Sequence, residues 1–242
     1  MTASLEVATS LISAPDVTQF AVLGALQPAE ASTMLPAIEL EDLRSIRQAG
    51  WSRVGTITAM ADESGRLLML THVQSDKTAA GSLGPLAETA QFSDDDGTPR
   101  VESAAQTVAR SIREELGMSR PERLELVAQP VGAWALSKWP VGIQYEQQYA
   151  LAICPVVRIG RAGYERLMDE FKPTEEIEAI QFMSPDEIAA AHNLRNGTLG
   201  WLGDVAASGL LDVPQSELVV VDLTVPALTG NGQDIRFDRL KV

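Results

Sequence analysis

Two adjacent glutamates end a helix-like segment of the chain, residues 102–118, whose sequence is ESAAQTVARSIREELGM. Glu114 and Glu115 stand just before Gly117. Carboxylate oxygens are ligands that Mg²⁺ prefers, and Mg²⁺ often takes only one or two of them from the protein. The pair is therefore a candidate metal site on a catalytic helix.

The position of these carboxylates within the helix points the same way. The last turn of a helix carries a partial negative charge, so an acidic side chain there costs about 0.3–1 kcal/mol. An ordinary explanation also exists, because Arg110 precedes Glu114 by four residues and can pair with it on a solvated face. Taken alone, the helix leaves both interpretations open.

The segment has the start, the core face and the end of a helix over residues 103–116. Ser103 is a suitable N-cap, and Gln106 completes a capping box. Gly117 suits the position that follows a helix. The face that packs on the core is predicted by an apolar stripe at helical spacing, which consists of Ala105, Val108, Ala109, Ile112 and Leu116.

The elements around this helix predict an α/β or α+β domain with helices packed on a mixed sheet. Two apolar runs separated by ADESGR predict a β-hairpin within residues 51–73, and a long Gly-, Pro- and Asp-rich loop follows over 74–101. Further helices are predicted for IELEDLRSIRQAG, AGYERLMDEF, SPDEIAAAH and TLGWLGDVAASGLL. Further strands are predicted for RLELVAQPVGAWALSK, YEQQYALAICPVVRI, EEIEAIQFM and ELVVVDLTV.

Charge and cysteine content limit the partners of the protein. The 242 residues include 33 acidic and 19 basic ones, a net charge of −14, and such a surface repels nucleic acid and anionic lipid. Cys154, the one cysteine, lies in an apolar run and is predicted to be a buried strand thiol. With no basic leader and no apolar run near the ~20 residues of a membrane span, a cytoplasmic protein is expected.

The segment 97–118 resembles the Nudix box, a motif with the pattern G-x5-E-x7-R-E-U-x-E-E-x-G-U, in which U is a bulky aliphatic residue. The matching residues are Glu102, Arg110, Ile112, Glu114, Glu115, Gly117 and Met118. The preceding hairpin and the loop GSLGPLAET agree with this resemblance, which covers about residues 51–192. It implies a Nudix-like α/β/α sandwich around a mixed central sheet.

The resemblance also implies a chemistry, the hydrolysis of a diphosphate that joins a nucleoside to another group, with Mg²⁺ or Mn²⁺ as the cofactor. Glu102, Glu114 and Glu115 are then the expected metal ligands, and Glu114 and Glu115 belong to the catalytic set. Arg110 is expected to pair with a carboxylate. The general base is left open among glutamates outside the box, and Glu176 is chosen from a set that also holds Glu146, Glu175 and Glu178.

Two departures from the motif keep a second function open. The box glycine is Gly97, one place later than the pattern requires, and Ser111 stands where the family has a glutamate that binds metal or acts as a base. Ser111 favours a catalytically impaired Nudix-fold protein that binds a ligand or regulates. A third alternative, isomerisation of an isoprenoid diphosphate, lacks a suitably placed cysteine, and the region 193–242 is too poor in cations for a DNA-binding module.

The remaining expectations concern the domain division and the surroundings of the site. Residues 1–50 are expected to be an N-terminal extension, 51–192 the Nudix-like domain, and 193–242 a C-terminal extension packed on it. The first 50 residues are expected to cover the domain or a second subunit, so a homodimer is one outcome. Several side chains either contact the substrate or have an ordinary role in the core or on the surface. They are Trp134, Trp139, Tyr145, His72 and Lys77.

Overall fold

The computed structural model describes residues 35, 37–73, 80–94, 97–130, 133–141, 148–228 and 232–237. The helices are α1 (Leu40–Gln48), α2 (Ala104–Glu114), α3 (Arg161–Glu170), α4 (Pro185–Ala190) and α5 (Thr198–Ala207). The first six strands are β1 (Arg53–Ala61), β2 (Leu67–His72), β3 (Leu83–Gly84), β4 (Leu86–Thr89), β5 (Gln91–Ser93) and β6 (Arg100–Val101). The others are β7 (Val127–Ala128), β8 (Trp134–Val141), β9 (Gln148–Arg158), β10 (Ile177–Met183), β11 (Val219–Val220) and β12 (Gln233–Asp234).

The central sheet is mixed, as the sequence predicts. Its main strand order is β10-β2-β1-β9-β7-β11, with β3, β4 and β8 paired at its sides. Strand β1 runs parallel to β9 and antiparallel to β2 and β4. A second, small sheet has the order β12-β5-β6. Parallel pairing of β1 with β9 joins strands far apart in sequence, and α2 lies against β1 and β4.

Two apolar cores lie on the two faces of this sheet. Along β1, Val54 and Met60 belong to one core, while Ile57 and Ala59 belong to the other. The alternation follows from the two-residue period of a strand. Helices α1, α2 and α3 contribute to the first core, and α4 and α5 to the second. The predicted α/β/α sandwich with helices on both faces is therefore confirmed.

Helix α2 forms as its sequence predicts. The Ser103 hydroxyl accepts a hydrogen bond from the Gln106 amide at 3.2 Å, and the Gln106 side chain accepts one from the Ser103 amide at 2.8 Å. The apolar stripe is buried, with Ile112 fully inaccessible. After the helix, Gly117 has φ +66°, a conformation that favours glycine, and the chain turns away.

The predicted loop over residues 74–101 is wrong for its second half. Residues 83–84, 86–89 and 91–93 form strands, and β4 pairs with β1 from Leu86 to Thr89. Strands of two to four residues are too short to show a period, so Gly, Pro and Asp dominated the pattern. The strand predicted for RLELVAQPVGAWALSK is also broken. Pro121–Leu124 is a 3-10 helix, and among the described residues of this region only 127–128 and 134–141 are strand.

Both extensions contribute to the cores where the structure describes them. Leu43 and Ile46 of α1 are fully buried in the first core, and Trp201 of α5 is fully buried in the second. Within the predicted strand ELVVVDLTV, Val219–Val220 pair with β7, and the Val221 amide donates to the Leu126 carbonyl at 2.8 Å. No helix within the described ranges is long and apolar enough to cross a membrane. The domain division itself stays a prediction, and residues 1–34 lie outside the described part of the chain.

Candidate functional site

Helix α2 ends at a cleft of about 1520 Å³. The cleft is bounded by the first residues of β1, by β4, by the end of α2 and by the segment that precedes β10. Its acidic side chains are Glu88, Glu114, Glu115, Glu175, Glu176 and Asp234. Its arginines are Arg53, Arg110, Arg195 and Arg236. A cleft that holds both signs of charge can bind a cation and an anion together.

Arg110, which lines this cleft, forms a buried pair with Glu102. The Arg110 Nε donates to Glu102 Oε1 at 3.0 Å, and its Nη2 donates to Oε2 at 2.9 Å. Oε2 also accepts from the Gln91 amide at 2.9 Å and from the Thr107 hydroxyl at 3.3 Å. Glu102 is only 1% exposed and is absent from the cleft lining. Both of its oxygens therefore serve to orient Arg110 and to tie α2 to β5.

Arg110 contacts four residues of the site, Glu102 among them. Its Nη1 lies 3.2 Å from Glu114 Oε2 and 3.1 Å from Glu88 Oε2, and its Nη2 donates to the Thr89 carbonyl at 2.6 Å. Burial disfavours the guanidinium charge, but Glu102, Glu88 and Glu114 outweigh that cost and raise the pKa of Arg110. Arg110 thus carries a permanent positive charge that holds Glu88 and Glu114 near one another.

Glu115 is a buried carboxylate of the cleft with one unsatisfied oxygen. It caps the C-terminal end of α2 and is only 5% exposed. Its Oε1 is buried and has no hydrogen-bond partner among the described residues. Burial raises the pKa of Glu115 well above its usual value; Glu88 and Glu176 raise it further, while Arg195 and a hydrogen bond from the Ala87 backbone lower it. An unsatisfied buried carboxylate is costly, and a bound cation would remove that cost.

Glu88 is a site residue that sequence reasoning missed. It lies on β4, where its Oε1 accepts from the Thr89 amide at 2.8 Å. Burial raises its pKa, and Glu114 and Asp234 add to this, although Arg110 opposes them. Gly55 of β1 allows this placement, because a Cβ there would overlap the Glu88 carbonyl. The sequence LAET after Pro85 shows no apolar–polar alternation, so it gave no strand signal and was assigned to the long loop.

Ser111 does not take over the role of the missing box glutamate. It is fully buried, and its hydroxyl donates to the Val108 carbonyl at 3.0 Å. It is absent from the residues that line the cleft. One helical turn later stands Glu115, so position 111 lies on the same face of α2 as the buried carboxylate. The side chain at this position is therefore committed to the helix backbone.

The late glutamates of the sequence divide into two groups. Glu175 and Glu176 line the cleft, and the charge of Glu176 acts on Glu115. The carbonyl of Glu176 accepts from the Val73 amide at 2.9 Å, which fixes the segment before β10 beside the end of β2. Glu178 is exposed and does not line the cleft. The structure thus brings Glu176 together with Glu114 and Glu115.

Other predicted residues have more ordinary places. Trp139 lines the cleft but is only 5% exposed and belongs to the second core. Trp134 packs against the first core, and Cys154 is buried, with burial raising the pKa of its thiol. His72 is buried at the cleft beside Arg195. Lys77, Tyr145 and Glu146 lie outside the described residues.

The fit of a divalent cation rests on Glu115. Within the described ranges, no group of three or more His, Cys, Asp and Glu side chains is placed to hold a metal ion as it stands. Mg²⁺ commonly takes one or two carboxylates and completes its shell with water and substrate oxygens. The unsatisfied Oε1 of Glu115 and the neighbouring charges of Glu88 and Glu176 suit such an open site.

Comparison with known proteins returned solved structures only. No protein-family model matches the sequence, and no curated protein matches it. The MutT protein from Methanosarcina mazei Go1 is similar at 15% identity, with 67% of this chain and 96% of that chain covered and a TM-score of 0.43. A NUDIX hydrolase from Nitrosomonas europaea is similar at 16% identity, with 68% and 96% covered and a TM-score of 0.43.

A further similar structure is a binary complex of the Ap4A hydrolase from C. elegans. Its identity is 12%, with 64% of this chain and 96% of that chain covered and a TM-score of 0.42. All three structures are similar to this chain in fold at low sequence identity. That likeness concerns the fold alone.

Proposed function

We propose that this protein is a divalent-metal-dependent hydrolase of a diphosphate compound, either nucleoside-diphosphate-linked or of another kind. The observation that carries the proposal is the buried Oε1 of Glu115, which has no hydrogen-bond partner among the described residues, at a cleft that four further glutamates line. A purely structural helix end has no use for such a carboxylate, since burying it costs free energy. The net charge of −14 does not exclude a diphosphate substrate, because a bound cation inverts the local charge.

The proposed roles follow from the contacts of each residue. Glu115 is the principal metal ligand, and Glu114, one residue earlier, supports it while Arg110 holds one of its oxygens. Glu102 was expected to bind metal, but both of its oxygens lie on Arg110, so we assign it to positioning Arg110. Mg²⁺ or Mn²⁺, when bound, supplies neutralisation of the diphosphate and a more acidic water.

Glu176 is proposed as the proton acceptor. Its side chain is exposed at the rim of the cleft, so a proton taken from a water molecule can pass on to solvent. Its backbone is anchored to Val73, which keeps the carboxylate on the same side as Glu115. Glu175 lies beside it in the cleft and is the alternative acceptor.

A second candidate function is ligand binding without hydrolysis. The observation in its favour is Ser111, whose buried hydroxyl is committed to the Val108 carbonyl and supplies no carboxylate to the cleft. A protein with this site could still bind a metal and a diphosphate. It would then act as a sensor or regulator. The homodimer and the cytoplasmic location stay predictions.

A product screen separates the two functions. The protein is incubated with nucleotide sugars, dinucleotides, nucleoside triphosphates and prenyl diphosphates, each with Mg²⁺, with Mn²⁺ and with EDTA. The hydrolase proposal predicts metal-dependent cleavage of at least one class, abolished in Glu115→Gln and retained in the control Glu178→Gln. Metal-dependent ligand binding without any cleavage would favour the second function. Cleavage that persists in EDTA would contradict both.

A further inference from the structure

Arg195 reaches the cleft from the region that follows the Nudix-like domain. Its amide donates to the Leu83 carbonyl at 2.8 Å, and the Leu83 amide donates to the Asn193 carbonyl at 2.8 Å. The Asn193 side chain also donates to the Gly81 carbonyl at 3.0 Å. These three bonds fasten the segment between α4 and α5 to β3. The backbone of Arg195 is therefore held at the rim of the cleft.

The side chain of Arg195 is held as well. Its stem packs over Gly84, where a Cβ atom would lie 3.1 Å from the Arg195 Cδ. Its guanidinium carbon lies 5.9 Å from the centre of the Trp139 ring, and its Nη1 lies 3.4 Å from the His72 Nε2. A planar guanidinium held by these contacts loses little further freedom when it binds a ligand.

Arg195 differs from two other arginines of the cleft in its ion-pair partners. Arg110 is paired with three glutamates, and Arg236 with Asp234 at 2.8 Å. Among the described residues, Arg195 has no carboxylate within ion-pair distance, although its charge acts on Glu115. A half-buried cation without a counterion favours an anionic ligand, and a guanidinium matches the oxygens of a phosphoryl group in a bidentate manner.

We propose that Arg195 binds a phosphoryl group of the ligand, close to the carboxylates at the end of α2. The inference rests on the proposed function for its ligand class, a diphosphate, and adds the residue that selects it. Arg195 binds phosphoryl oxygens, and the carboxylates at the end of α2 bind the cation. The arginine and the cation therefore contact one diphosphate from two sides. Substrate choice then depends on residue 195, which lies outside the motif that resembles the Nudix box.

The alternative is that Arg195 only joins β3, His72 and Trp139. Both roles predict some loss of thermal stability when the side chain is shortened, so stability does not distinguish them. Affinity for a small phosphate probe does, because a structural tie gives no preference for an anion. Lysine at this position keeps the charge and loses the planar fork, which separates the effect of charge from that of geometry.

The test is calorimetric titration of the full chain with inorganic pyrophosphate in the presence of Mg²⁺. Four proteins are compared: the parent, Arg195→Gln, Arg195→Lys and the control Arg161→Gln, an exposed arginine of α3 that does not line the cleft. We expect Arg195→Gln to bind at least ~10-fold more weakly than the parent, Arg195→Lys to fall between them, and the control to match the parent. Circular dichroism verifies that each protein is folded.

Parent affinity in folded Arg195→Gln, or a parent that does not bind pyrophosphate, would overturn the assignment. The measurement needs no turnover, so its outcome is separate from that of the product screen. If the parent hydrolyses no compound but Arg195→Gln loses pyrophosphate binding, the role of Arg195 stands and the hydrolase function falls. If the parent and Arg195→Gln hydrolyse a diphosphate equally well, the hydrolase function stands and the role of Arg195 falls.

Discussion

Arg110 holds both carboxylate oxygens of Glu102, with Nε 3.0 Å from Oε1 and Nη2 2.9 Å from Oε2. The two residues stand eight positions apart and are both buried. Their pairing divides the motif into two parts. Glu102 and Arg110 tie α2 to the strands by buried hydrogen bonds. Glu114 and Glu115, at the end of the same helix, line the cleft.

Replacement of Glu102 by Gln should therefore act on stability. The amide group of Gln would face Arg110 with a donor, and one of the buried hydrogen bonds would be lost. We expect the free energy of unfolding in urea to fall by about 1–3 kcal/mol, with Mn²⁺ affinity nearly unchanged. Loss of Mn²⁺ binding without loss of stability would instead make Glu102 a metal ligand.

Ile112 tests the packing of α2. Its side chain is fully buried in the first core, so Ile112→Asp places a charge there without a partner. We expect the free energy of unfolding to fall by about 3–5 kcal/mol, a large fraction of the roughly 5–15 kcal/mol by which native proteins are stable. Ile112→Val is the matched control and should cost only about 0.5–1.5 kcal/mol. An Asp variant that melts like the parent would refute the core assignment.

Stability of the metal-free protein should fall as the pH rises. Burial and neighbouring carboxylates raise the pKa of Glu115 well above 4.5, and the pKa of Glu88 is raised as well. A carboxyl with a raised pKa stabilises the folded state fully below its unfolded pKa, and this contribution is lost as the pH rises through the folded pKa. Melting temperatures in EDTA between about pH 5 and about pH 8 should decline more steeply in the parent than in Glu115→Gln. Equal slopes would show that Glu115 does not titrate in this way.

How far the sequence predicts the molecule depends on the range of each contact. The cap at Ser103, the buried stripe through Ile112 and the turn at Gly117 are local, and all three were predicted correctly. Helix and strand periods also predicted helices packed on a mixed sheet, whereas the sandwich with helices on both faces was implied by the resemblance of segment 97–118. These features depend on residues within a few positions of one another, and one sequence displays them directly.

The contacts that were missed join distant parts of the chain. Glu88 reaches Arg110 because β4 pairs with β1, and this pairing leaves no period in a four-residue strand. Arg195 reaches the cleft because residues 193–195 bond to Leu83, more than a hundred positions earlier. The commitment of both Glu102 oxygens to Arg110 likewise requires coordinates. Motif spacing in the sequence identified the helix at the candidate site. The other residues that line the cleft are brought there by contacts between distant segments.

Ser111→Glu restores the residue that the Nudix motif has at this position. The new carboxylate would stand one turn before Glu115, at a fully buried place. We expect a lower melting temperature in EDTA, because a further buried charge is added, and faster diphosphate hydrolysis when Mg²⁺ is present. Ser111→Gln has a similar size without the charge and is the control. Hydrolysis that is equal in the two variants would show that the serine does not limit the reaction.

The most direct measurement is calorimetric titration of Mn²⁺ into the parent, Glu115→Gln and Glu178→Gln. Glu115→Gln keeps the shape of the side chain and removes the charge of the buried, unsatisfied carboxylate, whereas Glu178 is an exposed glutamate outside the cleft. We predict that the parent and Glu178→Gln bind Mn²⁺ alike and that Glu115→Gln, still folded, loses binding. Equal Mn²⁺ affinity in the parent and Glu115→Gln would contradict a metal site at the end of α2.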